Sequence, residues 1–211
     1  MRKKTKIDLT IVIPIILFSI ISITTIYSAM TYSSSDLGNI ALKQAIWYLI
    51  GGIIIFILFK LKNDYLYRNA WVFYIICNIL LLSLLLFAPE INNSKCWFVI
   101  PYVGSFQPSE FTKISLMLLL SVVISNFRET TDHPSLKEEF IFILKTLIIV
   151  LIPSILTFLE PDTGSVMIYF IIYFCMMFTS GIRLRWFIIG GSIIGVVLSL
   201  VLGCYFLNEE L

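Results

Sequence analysis

Charge is what this chain has least of. Asp, Glu, Lys and Arg make up 13% of its 211 residues, about half the ~25% of an ordinary soluble chain. Apolar residues supply 59%, and the mean hydropathy is +0.97. A soluble globule of this size cannot hide so much apolar surface from water, so lipid must be the solvent for most of it. The expected fold class is all-α, a polytopic membrane protein. Metal-binding residue types are scarce as well. The one histidine, His133, stands beside Pro134 in a polar stretch with no second ligand. The four cysteines (Cys77, Cys96, Cys175 and Cys204) show no CxxC and no metal-ligand spacing, which excludes a disulfide framework or a zinc site. Three of them lie in apolar runs, where a thiol acts as a small hydrophobe. A net charge of +2 carries no argument for nucleic acid, and no such partner is expected. Internal repeats and low-complexity linkers are absent, so residues 1–211 read as a single transmembrane domain.

What is present is a series of long apolar runs. Seven are long enough, or nearly so, to cross a hydrocarbon core that needs about 20 helical residues. They are Leu9–Ser28, Leu42–Phe59, Ala70–Phe87, Phe111–Phe127, Phe140–Leu159, Ser165–Ser180 and Trp186–Leu207, of which the fourth and sixth are short. Gly51, Gly52, Gly190, Gly191 and Gly195 fall inside spans and predict close helix packing. Pro14 and Pro153 predict kinks, tolerated where a neighbour replaces the lost hydrogen bond. The basic stretch Met1–Lys6 precedes the first run without a small-residue cleavage site, and reads as a signal anchor that stays.

Orientation follows from the distribution of lysine and arginine. With the N-terminus in the cytoplasm, the inner segments hold Arg2, Lys3, Lys4, Lys6, Lys60, Lys62, Arg68, Arg128, Lys137, Arg183 and Arg185. The outer segments and their borders hold only Lys43, Lys95 and Lys113, while Lys145 can snorkel back to the inner surface. The expected location is the cytoplasmic membrane, with Ala88–Glu110 outside.

That outer segment is too long for a plain connector and has little obvious secondary structure. Trp97, Phe98, Tyr102 and Phe106 suit an aromatic belt at the membrane surface. Pro108 fits the first position of the fourth helix, which puts Glu110 in its first turn, where the helix dipole favours an anion. Lys113 is different. A cation there opposes the dipole and enters the hydrocarbon boundary, and its i,i+3 spacing pairs it with Glu110. The pair is expected to face a polar cavity and to meet an anionic group from the outer leaflet. A second constellation, Glu160-Pro161-Asp162-Thr163-Gly164-Ser165, joins the fifth and sixth runs, with Asp162 or Thr163 as the helix cap.

Gln107-Pro108-Ser109-Glu110-Phe111-Thr112-Lys113 resembles the QPSE-x-x-K signature of the RodA/FtsW/SpoVE (SEDS) family of bacterial cell-wall synthesis. Pro161-Asp162-Thr163-Gly164-Ser165 is similar to the family's PDLGT segment, with Thr163 for the leucine and Ser165 for the threonine. Lys43-Gln44-Ala45-Ile46-Trp47 with Gly51 resembles the start of its second span, and Ile26-Tyr27-Ser28-Ala29 the end of its first. Tyr67–Leu86 and the Gly181–Arg185 turn lean towards the RodA branch.

The resemblance implies a glycosyltransferase that polymerises lipid II at the outer membrane face. Its implied partners are a class B penicillin-binding protein, other proteins of the elongation or division complex, and membrane lipid. It implies substrate contacts at Lys113, Glu110, Lys95, Trp97 and Gln107, and a motif role for Pro108, Ser109, Pro161, Asp162 and Gly164. No cofactor is identified, although a divalent cation at the diphosphate is compatible with the chemistry.

Two departures stand out. The family's arginine before the tryptophan is replaced by Cys96, beside which Lys95 is the substitute cation. The family also has about ten spans and a PE-x-H-T-D-F loop whose aspartate is the implied base, and neither lies within these 211 residues. The expectation is therefore the N-terminal portion of the family fold, inactive as a polymerase by itself. The alternatives are a lipid-linked precursor transporter (flippase) and a noncatalytic fragment of the elongation complex.

Overall fold

The computed structural model describes residues 8–31, 40–60, 63–90, 94–100, 104–131 and 133–209. Among them are seven helices and one hairpin: α1 (Leu9–Thr31), α2 (Ile40–Lys60), α3 (Asn63–Phe87), β1 (Phe98–Ile100), β2 (Gly104–Phe106), α4 (Pro108–Thr130), α5 (Leu136–Leu159), α6 (Thr163–Thr179) and α7 (Arg185–Glu209). The all-α class is as expected, and the chain is a multi-pass membrane protein. The expected seven crossings are met in helix number but not in span length. Among the described residues, five helices, α1 to α5, are long and apolar enough to cross a membrane, whereas α6 and the described Arg185–Val196 part of the 25-residue α7 are shorter. At 1.5 Å per residue, the 17 residues of α6 reach about 26 Å, short of a hydrocarbon core of about 30 Å.

The chain forms two compact units, Met1–Asn63 and Asp64–Leu211. In the first, α1 packs on α2. Both helices turn apolar side chains such as Leu9, Phe18, Leu49 and Phe56 outward. Their few hydroxyls do not stand bare: Ser19, Thr24 and Thr25 donate to carbonyls one turn back, at 2.8, 3.0 and 2.7 Å. Lipid offers no such partner, so the helix must.

In the second unit α4, α5 and α6 pack mutually. Their core joins Ala70 and Tyr74 of α3 to Leu116, Leu119 and Leu120 of α4, Phe142 and Val150 of α5, and Tyr169, Tyr173 and Met177 of α6. Small hydroxyl residues line the same contacts: Ser109, Thr112, Ser115, Thr146, Ser154 and Thr157 are buried, which lets helix backbones approach closely. Pro153 has no N–H to give the carbonyl of Ile149, and the Tyr74 hydroxyl supplies that bond from α3 at 2.8 Å. This is the expected remedy for an intramembrane proline.

The glycine expectation fails. Among the described residues, a Cβ at Gly51, Gly52, Gly190, Gly191 or Gly195 would meet nothing within 4 Å, so none of these glycines marks a close helix crossing there.

The end of the second unit opposite the hairpin carries its own polar network. Glu139, 1% exposed, accepts from the Trp186 indole at 2.7 Å and pairs with Arg183 at 3.4 Å. Arg128 donates to the carbonyl of Ser180. Gly181 follows at φ 73°, where a Cβ would lie 2.6 Å from the Arg128 guanidinium. Only glycine fits both the backbone and the space.

Candidate functional site

The site gathers at the hairpin end of the second unit, where the start of α4, the α5–α6 corner and the segment before β1 meet. The segment expected to lack structure holds a short antiparallel hairpin, with Phe98 opposite Phe106 and Ile100 opposite Gly104. Phe98 is not a belt residue. It packs on Leu81, Leu84 and Ala88 together with Leu156, and so anchors the hairpin. Phe106 stacks at a tilt on Phe111, with ring centroids 4.9 Å apart, tying β2 to the first turn of α4. Trp97 stays 38% exposed and is free to meet lipid or ligand. Tyr102 lies outside the described residues.

Helix α4 begins at Pro108, whose missing N–H is one of the unpaired groups of a first turn anyway. Its cap residue Gln107 makes no capping bond. The Gln107 amide instead crosses to the α5–α6 corner and donates to Asp162 Oδ2 at 3.0 Å. The Ser109 hydroxyl donates to the same oxygen at 3.3 Å. Asp162 Oδ1 accepts the backbone N–H of Ser165 at 3.0 Å and caps α6, as expected for a short acceptor at that position. Ser165 donates to the Ser109 hydroxyl (3.3 Å) and Tyr169 to the Ser109 carbonyl (3.2 Å). The two motifs therefore close on one carboxylate, which bonds both helix starts at once. Asp162 is a clamp.

Lys113 and Glu110 form the expected ion pair, with Nζ 2.6 Å from Oε1. The Lys113 side chain is 16% exposed and that of Glu110 55%, so the cation is the sheltered partner. Glu110 holds it against the unfavourable end of the helix dipole. Lys95 is half-buried and makes no ion pair among the described residues. Pro161 forms the exposed α5–α6 corner at φ 33°, outside its ring's usual range. Gly164 has ordinary room, with a Cβ lying 3.7 Å from Asp162 Oδ1. Among the described residues no three His, Cys, Asp or Glu side chains come together as a metal site.

Two features were not read from the sequence. Glu160 ends α5 as its C-cap, yet it is fully buried, and among the described residues neither carboxylate oxygen has a hydrogen-bond partner. Cys96 points inward to the same residue, its thiol donating to the Glu160 carbonyl at 3.0 Å, where the Ser94 hydroxyl also donates at 2.8 Å. An acid next to a buried thiol 64 residues away leaves no mark in local sequence.

Fold and site together define a class: multi-pass, all-α membrane proteins in which two polar motifs meet at one end of a helix bundle. The chain belongs to the FtsW/RodA/SpoVE family, described as "Cell cycle protein", with the match running over residues 8–209. It is 31% identical to the peptidoglycan glycosyltransferase MrdB of Helicobacter pylori over 69% of this chain and 38% of that one. It is 26% identical to the probable peptidoglycan glycosyltransferase FtsW of Lactococcus lactis over 98% of this chain and 54% of that one. The chain thus spans roughly half or less of these curated relatives. Among solved structures, a mutant of the rod shape determining protein RodA of Thermus thermophilus matches with TM-score 0.73 at 20% identity, covering 92% of this chain and 60% of that one. A chain of a peptidoglycan synthase complex matches with TM-score 0.67 at 21% identity, covering 86% and 52%. The structural matches establish the fold.

Proposed function

We propose that the chain provides the substrate-diphosphate end of a RodA-like peptidoglycan glycosyltransferase, which polymerises lipid II at the outer face of the bacterial cytoplasmic membrane. The observation that carries this reading is the sheltered Lys113 cation, held by Glu110 at 2.6 Å in the first turn of α4. A lipid-linked diphosphate presents its charge at just this depth, and a fixed cation there stabilises the departing diphosphate. The Asp162 clamp holds the α4 start against α6, so Lys113 stands on a rigid base. Lys95 and Trp97 are the candidates for further contacts with the headgroup and lipid. Gln107 acts through Asp162, to which its amide is already bonded. The excess of lysine and arginine on one side supports a cytoplasmic N-terminus with the hairpin end outside, and residues 1–211 are read as a single transmembrane domain. The partner is a class B penicillin-binding protein within an elongation or division complex.

The test is Lys113→Ala in the protein as the cell makes it, assayed with lipid II and its penicillin-binding partner. Polymerisation should fall by at least two orders of magnitude while membrane insertion stays intact. Lys113→Arg should not restore full rate, because a planar fork differs from a point charge on a flexible stem. Wild-type polymerisation by Lys113→Ala would defeat the reading. Lipid II transport across vesicles without polymer would replace it with a flippase.

A further inference from the structure

The second unit buries two glutamates, and it treats them oppositely. Glu139 has an indole donor and an arginine. Glu160 is equally buried, yet both of its oxygens are unpartnered and no lysine or arginine among the described residues pairs with it. The titratable groups that face it are Asp162 on its own corner, the Cys96 thiol from the segment before β1, and Tyr169 of α6. None is a cation. An ionised carboxylate in that setting loses its hydration and gains only repulsion from Asp162, whereas a protonated one gives up its hydrogen bonds to water but avoids the far larger cost of burying a charge.

The same residue holds the hairpin segment. Ser94 and Cys96 converge on its carbonyl at 2.8 and 3.0 Å, and their own Oγ and Sγ are 2.6 Å apart. Lifting that segment would uncover Glu160 and let water reach it. The docked and lifted forms therefore differ in how well they tolerate the Glu160 charge.

We propose that Glu160 is a positioning residue that carries a proton when the Ser94–Trp97 segment is docked, and that losing this proton releases the segment from the α5–α6 corner. Burial first, and Asp162 second, push the Glu160 carboxyl up to about 8 from its ordinary 4.5. The sign follows. Docking favours the protonated form, so the docked state is most secure at low pH. It weakens as pH rises from about 5, by up to tenfold per unit, and levels off above about 8, where both forms are ionised. Trp97 and Lys95 ride on this segment, so its release would withdraw them from the hairpin end. The inference stands on these contacts alone and does not need the polymerase reading.

The native cysteine is the reporter. Cys96 is 4% exposed when docked, and burial, helped by Asp162 and Glu160, pushes its thiol above its ordinary range. The whole chain in nanodiscs is treated with a maleimide at pH 5.5 to 9, and modification of the Cys96 peptide is followed by mass spectrometry. Glu160→Gln, the neutral isostere, serves as the control for the thiol's own titration. The ratio of wild-type to Glu160→Gln rates should climb at least tenfold between pH 5.5 and 8 and then stay flat. A ratio constant across this range would overturn the proposal. A second measurement needs no variant: hydrogen-exchange protection of the wild-type 94–98 amides, corrected for intrinsic rate, should fall over the same interval. Unchanged protection would equally overturn it. Neither readout involves glycan synthesis, so failure here and failure of the polymerase reading are separable.

Discussion

Replacing Asp162 probes how the two motifs are held together. Its carboxylate accepts three bonds: the Ser165 N–H at 3.0 Å, the Gln107 amide at 3.0 Å and the Ser109 hydroxyl at 3.3 Å. Asp162→Ala removes a helix cap, which costs about 1 kcal/mol. It also strands the Gln107 and Ser109 donors, each worth about 1.5–3 kcal/mol against a charged acceptor in full burial. Asp162 is only half-buried and the Ser109 bond is long, so the lower end applies and the total is about 4 kcal/mol. Asp162→Asn keeps an oxygen for Ser165, and the Gln107 amide can turn to offer its carbonyl, so the expected loss is roughly 1 kcal/mol. Asp162→Ser keeps the cap alone and should fall between them. The assay is SDS-induced unfolding of the chain in mixed micelles, followed by circular dichroism. Asp162→Ala within about 1 kcal/mol of wild type would refute the clamp. Asparagine as damaging as alanine would show that the charge matters rather than the shared geometry.

Other outcomes follow from the same contacts. Gly181→Ala should destabilise by about 2 kcal/mol or more in the same unfolding assay, since it forces a left-handed alanine into the Arg128 guanidinium. Gly164→Ala should be neutral or stabilising by up to about 1 kcal/mol, because its Cβ has room and alanine favours helix. Lost polymerisation with an unimpaired fold would then mark that surface as substrate-facing. For topology, an impermeant thiol reagent applied to intact cells should label a cysteine placed at Asn93 and not one at Thr131, and the reverse pattern would invert the orientation. Purified by themselves with lipid II, these 211 residues should make no glycan, because they contain no PE-x-H-T-D-F segment and Asp162 is committed to structure. Glycan product would send the search for a base to Asp162 and Glu160.

The sequence was most informative where one residue settles a local question. Pro108 set the start of α4, Asp162 the cap of α6, and the i,i+3 spacing the Glu110–Lys113 pair. The Ser135-x-x-Glu138 capping box at the start of α5, a pattern of the same local kind, was not read from the sequence. Long-range placement was not legible. Nothing local says that Gln107 would leave its own helix end for Asp162, 55 residues away. Glycines in spans suggested helix crossings, but a glycine only exposes backbone to whatever stands opposite, and among the described residues nothing comes within 4 Å of where its Cβ would be. The hairpin was hidden because three-residue strands carry too little alternation to read. Span number is less sharply marked, because a 17-residue helix satisfies a hydropathy window while remaining short of the core thickness.

Scarcity of charge makes each remaining charge informative about mechanism. In a chain with so few, an ionisable group at the membrane boundary must either be neutralised by a fixed partner or remain available to change. Glu139 with Arg183, and Lys113 with Glu110, take the first course. Asp162 is satisfied by neutral donors on both helix starts, which fixes geometry without adding a cation. Glu160, with no partner for its carboxylate among the described residues, takes the second. Its position follows from this contrast: it sits one residue before Pro161 and two before the clamp, beneath the segment that bears Lys95 and Trp97. A cation at Cys96, as the family's arginine would supply, could pair with this carboxylate and fix its charge. The thiol found there meets the Glu160 carbonyl and the Ser94 hydroxyl and brings no fixed positive charge to the acid. Under the proposed proton switch, the departure from the family pattern at residue 96 bears on how firmly the outer segment is held to the α5–α6 corner.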